Sequence, residues 1–148
     1  MARTLLDLAK RMEALPAQIE QGASNVAVEV VKAIDRDVVP HTPVDTTEAL
    51  SNWQAELNQP VGFALPPIFP GQSGSTAPAS QAAAISHVDR VLAVKKPGEP
   101  VYLSNLAKHI VILNNGSSRQ EPKGFVERAT LIGRLTARRA KLGLSNGR

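Results

Sequence analysis

The sequence predicts an α+β fold: a long N-terminal helix and further helices packed on a small, mainly antiparallel sheet. Three observations lead there. Apolar residues recur at helical spacing in three separate stretches, near the N-terminus, around residues 84–92 and from Phe125 onward. Two short segments, at Trp53 and at Val101, read instead as strands. A long Pro/Gly-rich stretch lies between those strands, which favours an antiparallel pair over a repeated parallel crossover unit. With 148 residues, 43% of them apolar, the chain supplies one modest core, so residues 1–148 are read as one domain.

Thr4 is placed to cap a first helix, in which Leu5, Leu8, Ala9, Met12 and Leu15 form one apolar stripe that runs up to Pro16. The pattern resumes at Ile19 and continues through Val26, Val30, Ile34 and Val38, until Pro40 and Pro43 stop it. A helix from Pro16 to about Val38 would be roughly 35 Å long at 1.5 Å per residue. That is enough to span a domain of this size or to project into a neighbour.

Residues 40–47 read as a turn leading to a short helix or strand, with Asp45 or Thr46 as the N-cap before Glu48, Ala49 and Leu50. Trp53, Ala55 and Leu57 alternate with polar Gln54, Glu56 and Asn58, as in a half-buried strand. From 60 to 78 the chain carries five prolines and three glycines, and an extended loop is expected, either disordered or serving as an arm or lid. Pro78 suits a first helical turn, and the helix it opens ends at Pro97-Gly98. Val101–Leu103 follows as a strand, and Ala107–Leu113 as a strand or short helix closed by the turn Asn114-Asn115-Gly116. The last helix is expected over 125–142, with Ser145–Arg148 fraying.

The net charge of +4 is unevenly spread. From Gly116 onward eight basic residues face two acidic ones, a local +6, while the rest of the chain is at −2. Such a segment suits phosphate contacts as well as it suits a solvated helix face. The absence of cysteine removes disulfides, thiolate metal sites and a cysteine nucleophile. No apolar run approaches the roughly 20 residues of a membrane span, and the charged N-terminus does not read as a signal peptide, so the expected setting is a cytoplasm. His41, His87 and His109 fall in three different elements without metal-ligand spacing. Gly71-Gln72-Ser73-Gly74 lacks the lysine of a phosphate loop. Asp45 and Glu48 are better placed for capping than for acid–base work. No catalytic residue, cofactor or metal is expected, and the chain is read as a non-enzyme.

Two segments, in order, resemble the tail-completion, or head-to-tail joining, proteins of long-tailed bacteriophages. The first is Thr42-Pro43-Val44-Asp45-Thr46-Thr47-Glu48-Ala49-Leu50-Ser51-Asn52-Trp53, similar to that family's TPVDTG turn and the segment after it. The second is Tyr102-Leu103-Ser104-Asn105, followed by Leu113-Asn114-Asn115-Gly116-Ser117-Ser118-Arg119-Gln120-Glu121-Pro122-Lys123-Gly124-Phe125-Val126-Glu127-Arg128-Ala129, similar to the family's strand, its glycine-centred turn and its Q-A-P-x-G-F-V entry to the last helix. Thr47 stands where glycine is usual, His109 where tyrosine is common and Glu121 where alanine is common.

The resemblance implies a virion structural protein of the neck, made in the host cytoplasm and assembled as a homo-oligomeric ring, expected to be a hexamer. The ring would sit between head connector or adaptor proteins and the tail terminator or tail tube. It implies turn-shaping roles for Asp45, Gly116 and Pro122, and core or interface roles for Trp53 and Phe125. Thr46, Asn115, Ser117 and Gln120 belong to the same motifs. Arg134, Arg138, Arg139 and Lys141 would face DNA in the channel, without sequence preference, or an acidic partner. A small basic DNA-binding or DNA-packaging accessory protein is the alternative reading of the same charge.

Overall fold

A computed structural model describes residues 4–142. The order is α1 (Leu5–Val38), α2 (Glu48–Ser51), β1 (Trp53–Leu57), α3 (Ala77–Ala93), β2 (Val101–Asn105), α4 (Ile110–Asn114) and α5 (Phe125–Arg139). The α+β class and the long N-terminal helix are as the sequence predicts. Ser145–Arg148 lie outside the described residues.

α1 opens on a capping box: the Asp7 amide donates to Thr4 Oγ1 at 3.1 Å, and the Thr4 amide donates to Asp7 Oδ2 at 3.0 Å. The helix then runs for 34 residues, about 51 Å at the usual rise, straight through Pro16. The break expected at Pro16 is therefore absent. Proline there removes one rung of the hydrogen-bond ladder, the one to the Met12 carbonyl, and every residue from Thr4 to Gln21 is exposed, so solvent can hydrate the freed carbonyl. The C-terminal half of α1 is the part that packs. α5 lies antiparallel along it, with Arg128 at Asp37, Gly133 at Ile34 and Val30, and the Leu142 backbone against Gly22.

The sheet has two antiparallel strands, with Trp53 opposite Asn105, Ala55 opposite Leu103 and Leu57 opposite Val101. Ala55 packs with Val88 and Leu92 of α3 and with Val28 and Val31 of α1. A second cluster joins Val38, Val39, Leu50, Trp53, Ala84, Phe125 and Ala129. One face of the sheet thus packs on α3 and the inner half of α1, and the Trp53 end joins the cluster to which α2 and α5 contribute Leu50, Phe125 and Ala129.

Residues 58–76 do not reach outward as an arm. Side chains of 45–54 fasten them to the body: Asn52 Nδ2 donates to the Leu65 carbonyl and Asn52 Oδ1 accepts from the Leu65 amide, both at 2.8 Å. Gln54 Nε2 donates to the Phe63 carbonyl, and Ser51 Oγ accepts from the Ile68 amide, both at 3.0 Å. Consequently Gln54, polar in the alternation and expected outside, is buried beneath the loop. Its four prolines also limit the entropy the segment has to lose.

Of the two forms expected for Ala107–Leu113, the structure shows the short helix, α4 over Ile110–Asn114. Two end-points differ from expectation. α5 stops at Arg139, so Lys141 lies beyond the helix. Asp45 and Thr46 do not cap α2; its N-cap is Thr47, in the left-handed region at φ 66° and without a capping side-chain bond.

Candidate interaction site

The two motif segments, far apart in sequence, meet in one seam. The Gln120 side-chain amide takes both backbone groups of Val44: Oε1 accepts from the Val44 amide at 2.9 Å, and Nε2 donates to its carbonyl at 2.8 Å. Val44 is fixed as it would be by a neighbouring strand, with both polar groups satisfied by one side chain. An open cavity of about 290 Å³ lies along this seam, lined by Asp45, Thr46, Glu48, His109, Ser118 and Gln120 among others.

Asp45 shapes a turn, though by a route other than helix capping. Its Oδ1 accepts from the Ser73 amide at 3.1 Å and its carbonyl from the Gly74 amide at 3.0 Å, which ties the start of the motif to the end of the long loop. Thr46 is exposed on the cavity rim. Thr47 is 1% exposed and donates to the Phe69 carbonyl at 3.0 Å. A β-branched residue at positive φ is costly, and glycine would adopt this conformation freely. The position at which the resembled pattern carries glycine is thus left-handed in this chain.

Trp53 and Phe125 are core residues, 6% and 1% exposed. The Trp53 indole donates to Thr42 Oγ1 at 2.8 Å, and Thr42 in turn donates to the Val38 carbonyl at 2.8 Å, so the ring is joined to the end of α1.

In the second segment, Asn115, Gly116 and Ser117 form an exposed turn with Gly116 at φ 91°, and Pro122 is exposed before α5. A Cβ on Gly116 would stand 3.0 Å from Lys123 Cβ, so this turn requires glycine on both counts. The side chain that organises the region is Asn114, which sequence reasoning placed only within a turn. Asn114 Oδ1 accepts from the Val126 amide at 3.0 Å, its carbonyl accepts from the Gly124 amide at 2.8 Å, and its Nδ2 holds both oxygens of Glu127. Asn114 thereby performs from α4 the capping that Gly124, at φ 87°, has no side chain to perform for α5. This bond to Asn114 is also the main reason the Glu127 carboxyl sits below its ordinary pKa.

Arg128 was missed as well. Its guanidinium bridges Glu121 at 2.8 Å and Asp37 at 3.2 Å, locking α5 to the end of α1, and the Glu121 bond raises its pKa further, against a partial opposition from burial. Glu121, where the family commonly carries alanine, gains its role from this arginine. By contrast Arg134, Arg138, Arg139 and Lys141 are all exposed, and among the described residues none of the four is in an ion pair.

The seam is rich in hydrogen bonds between backbone and amide side chains. Among the described residues no group of His, Cys, Asp or Glu could hold a metal ion, and no helix is long and apolar enough to cross a membrane. No protein-family model matches this chain, and no curated protein or solved structure matches it.

Proposed function

We propose that this chain is a non-catalytic structural protein of a tailed-bacteriophage virion, joining head connector to tail as a subunit of a homo-oligomeric neck ring. The observation that carries the reading is the seam between Val44 and Gln120. The two segments that resemble the tail-completion family are joined there by two hydrogen bonds, and the turn position at Thr47 has the left-handed backbone that the family's glycine suits. A ring subunit also needs apolar surface outside its own core. Leu5, Met12, Val111 and Ile112, each at least 59% exposed, are available for such contacts.

The test is presence and consequence in the particle. The protein should appear by mass spectrometry in purified virions, and its deletion should leave filled heads and separate tails. Absence from virions, with normal particles on deletion, refutes the reading.

The exposed arginines support a second reading, a DNA-binding or DNA-packaging accessory protein. Saturable duplex binding that persists at physiological salt would favour it. Weak binding that disappears as salt is added would instead fit transient contact with DNA in a channel.

A further inference from the structure

We infer that Asn115 is a site of spontaneous deamidation, gated by the opening of the end of α4, and that its isoaspartate product loosens the hold of Asn114 on α5.

Two asparagines in the chain are followed by glycine, Asn115 and Asn146, and the second lies outside the described residues. At such a step the glycine nitrogen attacks the asparagine side-chain carbonyl carbon, because glycine has no Cβ to obstruct the approach. Position 116 requires glycine, since its φ is 91° and a Cβ would stand 3.0 Å from Lys123 Cβ. The geometry that demands glycine thus creates the reactive step. Asn115 is exposed, and among the described residues no hydrogen bond engages its side-chain amide. Asn114 beside it differs, with its Nδ2 on Glu127 and its Oδ1 on the Val126 amide.

The chemistry needs only water. The Gly116 nitrogen bonds to Asn115 Cγ, its proton passes to the departing Nδ2, and ammonia leaves behind a five-membered succinimide. Water then opens the ring. Attack at Cγ gives aspartate, and attack at the main-chain carbonyl gives isoaspartate, in which the backbone runs through Cβ. No electrons are exchanged, and either product carries one new carboxylate.

The folded turn holds this reaction back. Ring closure sets Asn115 Cβ and the Gly116 nitrogen on the same side of the Cα–C bond, but at ψ 2° it is the Asn115 nitrogen that eclipses the Gly116 nitrogen. The Gly116 amide also donates to the Leu113 carbonyl, and the Asn115 amide to the Val111 carbonyl, both at 3.0 Å. The bonds and ψ change together only when the last turn of α4 unwinds. A helix this short has little cooperativity to resist unwinding. α4 has five residues, none of them buried, and Val111 and Ile112 are 67 and 59% exposed.

Isoaspartate inserts one backbone carbon directly after Asn114. That residue holds α5 by its carbonyl, which accepts from the Gly124 amide at 2.8 Å, and by Oδ1, which accepts from the Val126 amide at 3.0 Å. The turn that has to absorb the added atom is already packed against Lys123, so the added length displaces Asn114 from α5. Aspartate at 115 adds charge without length and leaves those bonds in place.

The test follows full-length protein at mildly alkaline pH, folded and in urea, by mass spectrometry of the tryptic peptide His109–Arg119. Fragmentation separates Asn114 from Asn115, and isoaspartate is resolved from aspartate. Asn146-Gly147, in the tryptic peptide 142–148, is the reference step in urea, where the two sites should react alike. In the folded chain Asn115 should react about ten-fold or more slowly than in urea and accumulate isoaspartate. The aged molecules should exchange the Gly124 and Val126 amides faster than fresh protein. Asn115→Gln, whose ring closure needs a further atom, should abolish both effects, and Asn115→Asp should exchange as the fresh protein does. A folded chain that reacts at its urea rate overturns the gating by α4. No product at Asn115 in the folded chain, over an incubation many times the urea half-life, overturns the site. Isoaspartate with unchanged exchange, or Asn115→Asp exchanging as fast as the aged protein, overturns the link through backbone length to Asn114.

Discussion

Gln120 holds Val44 by both of its backbone polar groups, across 76 residues of sequence. Few side chains match a peptide unit in this way, because the partner must offer one donor and one acceptor in a plane. Gln120→Glu keeps the shape but sets a carboxylate oxygen against the Val44 carbonyl. We expect a loss of about 1–2 kcal/mol, against about 1 kcal/mol for Gln120→Ala, since the bonds are exposed to solvent. Urea unfolding ranks the two. Hydrogen exchange at the Val44 amide should accelerate in both variants, and unchanged exchange would show that the seam is held by other contacts.

At Thr47 the ordinary order of substitutions should invert. Alanine normally costs less than glycine, but here φ is 66° and the threonine side chain contributes one hydrogen bond, to Phe69. Thr47→Ala loses the bond and keeps the strain, with an expected cost of about 1–2 kcal/mol. Thr47→Gly loses the same bond but relieves the backbone, so it should be the more stable of the two by about 1 kcal/mol. Thermal unfolding of both variants decides it; alanine above glycine would mean the left-handed backbone carries no strain.

Elements with one dominant cause were legible in the sequence. The helices of α1, α3 and α5 announce themselves by periodicity, β1 by alternation, and the Gly116 turn by residues suited to positive φ. Misreadings arose where a distant partner decides the outcome. Pro16 looks like a stop, and only the exposure of the surrounding helix explains why it is not one. Asp45 looks like a cap because the loop amides it binds at Ser73 and Gly74 lie 28 and more residues away. Asn114, Gln120 and Arg128 all lie in the second motif segment, yet a role for Asn114 or Arg128 is not legible there, since their partners at Val126, Glu127, Glu121 and Asp37 are fixed only by the packing of α4, α5 and α1.

Gly133 marks the closest approach of α5 to α1. A Cβ there would stand 2.6 Å from both Cδ1 and Cγ1 of Ile34 and 3.4 Å from Val30. Helix propensity alone favours Gly133→Ala by about 1 kcal/mol. Overpacking against a buried interface acts the other way by about 1–3 kcal/mol, so the variant should be destabilised overall or neutral. Combining it with Ile34→Val, which vacates the Cδ1 position, should recover part of the loss. Stabilisation by the single variant would mean that the two helices separate at little cost.

Asp35 should make stability depend on pH near neutrality. It lies on α1 at 1% exposure, and its Oδ1 has no hydrogen-bond partner. Burial pushes its carboxyl from 3.8 up to about 7; the charge of Asp89 on α3 adds to the rise, and Arg36 opposes it. Asp89 is itself held by Arg36 at 3.2 Å and Lys32 at 3.9 Å. Because the folded carboxyl binds its proton more tightly than the unfolded one, its favourable contribution is complete below about pH 4 and is lost as pH rises through about 7. Asp35→Asn cannot ionise and escapes that loss. Relative to wild type, the variant should therefore gain about 1–3 kcal/mol between pH 5 and pH 8, measured by urea unfolding at several pH values across that range. A difference between the two proteins that stays constant with pH would show that Asp35 is already charged in the folded chain, and that water or a rearranged cation reaches it.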